Sequence, residues 1–156
     1  MNDDITGTDR VGHMPSDLQL KTMNAIHKTM LTLSFGKLGW KAGGMPVLKV
    51  TTVGRKSGEP RTVMLTSPVQ VGDTIVIVAS KGGEDHHPAW YLNLLAKPEV
   101  QVEWKGKAAK TMIATTATAA EKAELWPKIV AAYKGYGGYQ KRTERDIPLV
   151  FLNAKK

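Results

Sequence analysis

Two runs rich in Val and Thr, residues 47–53 (VLKVTTV) and 60–71 (PRTVMLTSPVQV), flank the segment GRKSG. Such residues fit a pleated, half-buried surface better than a helix. Gly54 and Gly58 give the segment between them the backbone freedom of a tight turn. The pattern predicts a hairpin with a basic tip made by Arg55, Lys56 and Ser57, to which Arg61 adds a third cation. Two strands joined by so short a turn must run antiparallel, since a parallel pair needs a long crossover. A basic tip has two readings, a solvated and aggregation-resistant end or an anion site where turn amides and cations converge.

The rest of the chain keeps this rhythm. Pro68 lacks an amide and confines its part of the second run to an edge or a bulge, and Gly72-Asp73 makes the next turn. TIVIVA, residues 74–79, is continuously apolar and of strand length, which predicts a buried central strand. Residues 99–105 alternate Val100, Val102 and Trp104 with Glu99, Gln101, Glu103 and Lys105, as a strand with one wet face does. Lys105-Gly106 turns into a partner strand over 107–116, and a last strand is expected over 147–152. Ser16 with Gln19, and Thr118 with Glu121, have the capping-box spacing of a helix start. The first opens a helix over 17–35 with the stripe Met23, Ile26, Met30 and Leu33. The second opens one buried through Leu125, Trp126, Ile129, Val130 and Tyr133, which Pro127 should kink or divide. A short helix over 88–95 begins at Pro88. The Gly- and Tyr-rich stretch GYGGYQKRTERD reads as a loop, and residues 1–15 as a loosely held tail. Five or six strands, three helices and no βαβ rhythm predict one α+β domain over 16–156, an antiparallel barrel with helices packed outside.

Composition narrows the chemistry. The chain has no Cys, so thiolate nucleophiles and thiolate metal sites are excluded. Its first residues are polar and acidic, which predicts no signal peptide and a cytoplasmic location. A formal net charge of +8 over 156 residues favours an anionic partner, whether nucleic acid, membrane surface or a multiply charged small molecule. The basic flanks of the 17–35 helix make peripheral contact with an anionic membrane an expectation. Ser80, Lys81, Gly82 and Gly83 follow the apolar run and precede a helix, an arrangement that can cradle an anion. His86 and His87 are adjacent and splay apart, so no metal site is expected. Trp90 lies close in sequence to that loop, where it can stack on a planar ligand or pack in the core. Tyr133, Tyr136 and Tyr139 are spaced by three near the chain's end. No triad or carboxylate pair stands out, so an enzymatic reaction would rest on a cofactor that the protein positions.

The runs TTVGRKSGEPR, VASKGGEDHHPAWYLNL, PEVQV and LWPKIVAAYKGYGGYQKRTERDIPLV, in that order, resemble the deazaflavin-dependent nitroreductase family of actinobacteria, quinone reductases that use reduced coenzyme F(420). The resemblance implies a split β-barrel related to flavin-nucleotide-binding oxidoreductases. It implies hydride transfer to a quinone, activated enone or nitro compound. By motif position it places Arg55, Lys56, Ser57, Arg61 and Lys81 on the coenzyme's phosphate and glutamate tail, and Ser80 and Trp90 along the deazaflavin ring. Tyr133, Tyr136 and Tyr139 would frame the acceptor side, with Ser80 and these tyrosines as the catalytic set. Some relatives carry an aromatic where this chain has Thr66, which implies a more open pocket. Two alternatives stand beside this one, a flavin mononucleotide oxidoreductase on the same barrel and a basic barrel that binds RNA or single-stranded DNA. Against the latter, the aromatics are not interleaved with the basic hairpin.

Overall fold

The computed structural model describes residues 41–42 and 44–156; the expected tail and the 17–35 helix lie outside them. Eight strands run β1 (Lys41–Ala42), β2 (Met45–Val53), β3 (Pro60–Thr66), β4 (Val69–Val71), β5 (Thr74–Val78), β6 (Glu99–Trp104), β7 (Lys110–Thr116) and β8 (Leu149–Ala154). Three helices accompany them: α1 (Ala89–Ala96), α2 (Ala119–Ala132) and α3 (Gly135–Arg142). All pairings are antiparallel, in the order β1-β2-β6-β7-β8-β5-β4 with β3 on β2. The sheet curls into the expected split barrel.

The predicted hairpin forms in register, from Val53 opposite Pro60 to Val47 opposite Thr66. The second run is two strands, and the break at Ser67-Pro68 explains why: β3 stays on β2, whereas β4 crosses to β5. Ser67 is buried at this corner and donates its hydroxyl to the Val76 carbonyl at 2.7 Å.

β5 is buried but not central, since only β4 lies beyond it. Its unbroken apolar character has a different cause, namely that both of its faces are covered. Ile75 and Ile77 join Leu48, Val50, Val100, Val102, Val150 and Leu152 around Trp90, Tyr91 and Leu94 of α1, which fills the barrel. Val76 and Val78 face the other way, onto Leu125 and Ile129 of α2, Tyr136 of α3, and Ile147 and Leu149. Ile129 has no exposed surface, and burying a side chain of its size contributes about 1.5–3 kcal/mol.

Several expectations are corrected. Pro127 does not divide α2, because it and Ala123, whose carbonyl it cannot bond, sit on the exposed face, where the missing bond leaves no buried polar group unpaired. Tyr133 is not on the buried stripe but caps the helix end, 41% exposed. β7 starts at Lys110 and β8 runs Leu149–Ala154, later than expected at each start. Pro88 is the cap of α1 and not its first residue. The stretch read as a loop after Tyr133 contains α3, whose glycines allow close packing: a Cβ on Gly137 would lie 3.4 Å from Val130.

Candidate functional site

Three groups of side chains make up the candidate site. The first is the basic tip. Gly54 donates to the Glu59 carbonyl and Gly58 to the Gly54 carbonyl, each at 2.8 Å, and Gly58 takes φ +71°. Ser57 Oγ accepts from the Glu59 amide at 3.1 Å and from Arg61 Nη2 at 3.4 Å. Arg55, Lys56, Ser57 and Arg61 are exposed, and none of the three cations makes an ion pair among the described residues. With Glu59 counted, the tip keeps a surplus of positive charge. The turn is also pinned from below. Asn93 Oδ1 accepts from the Arg55 amide at 3.1 Å and from Arg55 Nη1 at 3.3 Å, while its Nδ2 donates to Thr52 Oγ1 at 3.2 Å. Asn93 is 4% exposed and was not foreseen, although a lone amide in the apolar run AWYLNLLA is a signal, because buried polar groups need partners.

The second group is the loop from Ala79 to Pro88. Lys81, Gly82 and Gly83 take φ 45°, 63° and 85°, three successive left-handed residues. The loop turns two of its amides inward. Gly83 N–H donates to the Ser80 carbonyl at 2.9 Å and Glu84 N–H to the Lys81 carbonyl at 3.2 Å. Lys81 Nζ is 3.1 Å from the Glu84 carboxylate, with both side chains largely covered. Gly82 and Gly83 are buried, and the close approach of α3 demands glycine at 83. Ser80 caps this turn through its backbone and makes no cap hydrogen bond with its hydroxyl. His87 neither caps α1 nor simply faces water: its Nδ1 meets Arg145 Nη1 at 3.2 Å and its ring lies 5.0 Å from that of Tyr91. Burial, then the Arg145 charge, lowers its pKa, so the imidazole stays neutral and accepts at Nδ1. Trp90 packs in the core edge-on to Tyr91 at 6.3 Å, which gives it the core role. Among the described residues no three metal-ligating side chains cluster.

The third group is the tyrosines. Tyr133, Tyr136 and Tyr139 do come together, with ring centroids 5.4, 6.4 and 6.2 Å apart. Their surroundings differ. Tyr136 is 6% exposed and shares a hydrogen bond of 2.9 Å with Thr66 Oγ1. Burial raises its pKa, against the opposing pull of the Thr66 bond. Burial and its bond to Tyr133 push Tyr139 up to about 12, so its phenol holds its proton at neutral pH. Arg142 lies over the Tyr139 ring at 5.8 Å. Thr66 is therefore an anchor of the tyrosine helix.

This anchor gives a direct prediction. Tyr136→Phe should cost about 1 kcal/mol in urea unfolding by leaving the Thr66 hydroxyl unpaired, whereas Tyr136→Phe combined with Thr66→Val should be nearly neutral. With Thr66→Val measured alone as well, a double-variant loss equal to the sum of the two single losses would show that the pair does not couple.

The groups form a circuit. The tip is held by Asn93 of α1, α1 follows the left-handed loop, and that loop packs on α3. Tyr136 of α3 returns to Thr66, at the opposite end of β3 from Arg61, about 17 Å away along the strand. A ligand with an anionic tail and a flat head can lie along that span.

The F(420)H(2)-dependent quinone reductase family model matches residues 24–154. An F(420)H(2)-dependent quinone reductase of Mycobacterium tuberculosis is 36% identical over 134 residues, covering 83% of this chain and 89% of that protein. Among solved structures, an F(420)H(2)-dependent reductase, FDR-A, superposes with TM-score 0.62 at 37% identity, over 69% of this chain and 94% of its own. A second, described as a domain-swapped dimer, gives TM-score 0.65 at 34% identity over 83% and 96%. The family model spans the strands, loop and helices that carry the three groups, and the chain belongs to the F(420)H(2)-dependent quinone reductase family.

Proposed function

We propose that this protein reduces a quinone with reduced coenzyme F(420), holding the coenzyme between the basic tip and the tyrosine helix. The observation that carries this reading is the tip: cations without ion-pair partners among the described residues, on a turn pinned by a buried Asn93, one strand-length from three clustered tyrosines. The donor set suits the group. Arg55, Lys56, Arg61 and Ser57 offer charged and hydroxyl donors to phosphate and carboxylates, and little reorganisation is needed because Asn93 already fixes Arg55. When bound, the coenzyme supplies the hydride and the electron pair that goes with it.

The chain's own residues orient and protonate. Ser80 Oγ, unused within its turn, can donate to a ring carbonyl. Tyr133, the most exposed of the three, supplies a flat wall and a phenol that can hydrogen-bond a quinone oxygen as negative charge builds there. Tyr139 is protonated at neutral pH and backs it. Nitro compounds and activated enones fit the same requirement of an electron-poor π system with an oxygen acceptor. Base stacking is less well served, since the tyrosines face one another far from the cations and Trp90 is buried. The surplus of positive charge favours peripheral contact with an anionic membrane, where lipid-soluble quinones reside, and a cytoplasmic location is part of this proposal.

Titration with coenzyme F(420) and with flavin mononucleotide, followed by fluorescence, tests the reading. Tighter binding of the deazaflavin, and oxidation of its separately prepared reduced form by menadione, are expected; equal affinity for the two flavins would overturn it. Tyr133→Phe should lower turnover with coenzyme affinity unchanged if the phenol donates, and Tyr133→Ala should in addition raise the menadione KM. Wild-type kinetics in both variants would place the acceptor elsewhere.

A further inference from the structure

Arg145 lies between α3 and β8, in none of the three groups, yet its guanidinium is wholly committed to one of them. Nε donates to the Glu84 carbonyl at 2.7 Å and Nη2 to the Ser80 carbonyl at 2.8 Å. Nη1 and Nη2 both donate to the Ala79 carbonyl at 3.2 Å, and Nη1 also meets His87 Nδ1 at 3.2 Å. A guanidinium has five N–H groups, and these contacts use them all. Arg145 therefore has no donor left for a ligand, and its task is the backbone of the loop.

That backbone needs it. Lys81 carries a side chain at φ 45°, and two more left-handed residues follow. Such a run persists only where its surroundings over-determine it. Three carbonyls, from Ala79, Ser80 and Glu84, are drawn to one point, where their dipoles repel unless a multi-donor cation sits between them. Arg145 is in turn fixed from the α3 side. Its amide donates to Thr143 Oγ1 at 3.2 Å, the same hydroxyl donates to Asp85 Oδ1 at 2.8 Å, and Gln140 Nε2 donates to the Arg145 carbonyl at 2.8 Å. Thr143 is buried, so this second tie is shielded from water.

We propose that Arg145 is a positioning residue for the coenzyme site, joining the Ser80 turn and the tyrosine helix into one rigid unit. It tethers the Ser80 carbonyl and leaves the Ser80 hydroxyl to be aimed by the backbone. The proposal takes its ligand from the function proposed above. Lysine cannot substitute, because three donors radiating from one nitrogen cannot reach four acceptors spread along a planar fork.

The test uses the full chain with Arg145→Lys, and Arg145→Ala with and without guanidinium or ethylammonium chloride at concentrations that leave wild type folded. Arg145→Lys should weaken coenzyme F(420) binding by about tenfold, the scale of losing charge-assisted hydrogen bonds. It should also speed hydrogen exchange at the Gly83 and Glu84 amides while amides of β5 and β8 exchange as in wild type. Guanidinium, and not ethylammonium, should recover part of the affinity of Arg145→Ala. Wild-type affinity and wild-type exchange in Arg145→Lys would overturn the proposal, as would faster exchange spread evenly over β5 and β8. Should Arg145→Ala not fold, Arg145→Lys decides alone. If wild type itself does not bind the coenzyme, the proposed function fails, and the exchange pattern still decides whether Arg145 fixes the turn.

Discussion

Reversing charge at both Arg55 and Lys56 should weaken coenzyme binding by roughly a hundredfold at low ionic strength. Two charge-assisted contacts at about 1.5 kcal/mol each account for this. Exposed ion pairs are ordinarily worth less than that, with a median of about 0–1 kcal/mol, because long side chains must be ordered and water competes. The tip differs in one respect. Arg55 is already held through its amide and Nη1 by the buried Asn93, so part of the ordering cost is met before any ligand arrives. Reversal also adds two repulsions to the two lost attractions. At about 1 M salt, where the Debye length is only about 3 Å, the difference from wild type should shrink to a few-fold. Lys107→Glu with Lys110→Glu, on the exposed β6–β7 turn and the start of β7, makes the same change in net charge away from the tip. If that control loses as much affinity, the effect is one of overall charge, and the tail is not bound at the hairpin.

How much of this was legible in the sequence depended on how local the cause was. The Thr118 capping box was readable because its partners are three residues apart, and both of its hydrogen bonds form. The hairpin was readable because strand preference and turn chemistry act within one segment. α3 was not: GYGGYQKR has weak helix propensity, and what holds it is Tyr136 in the second core, bonded to Thr66 seventy residues away. The same distance in sequence hid the site's supports. Asn93 acts on Arg55 across 38 residues and Arg145 on Ala79 across 66, and nothing near either marks the partner. The role of the loop glycines was hidden for a related reason. Glycines at 82 and 83 have a ligand-binding reading and a helix-packing reading with the same local signature, and only the position of α3 separates them.

Gly83→Ala separates them in solution and should be the more destructive of two glycine replacements. At Gly58, with φ +71°, a Cβ would meet nothing within 4 Å, so Gly58→Ala should cost only the left-handed penalty of about 1 kcal/mol. At Gly83, with φ +85°, the same penalty is joined by a Cβ placed 2.7 Å from the Tyr139 carbonyl oxygen and 3.0 Å from its Cα. Those are backbone atoms of a helix and cannot swing aside as a side-chain end would. Overpacking of this kind adds about 1–3 kcal/mol, so about 3 kcal/mol in all is expected from urea unfolding. The distinction bears on how the acceptor enters. Were α3, with Gly135, Gly137 and Gly138, a mobile cover, lifting it would relieve the clash at Gly83 and reduce the excess cost to nearly nothing. A loss equal to that of Gly58→Ala, with menadione KM unchanged, would mean that α3 already stands away from the loop in solution. A loss near 3 kcal/mol, accompanied by a raised menadione KM, would mean that the tyrosines are held against the Ser80 turn and that the acceptor reaches them from the exposed side of Tyr133.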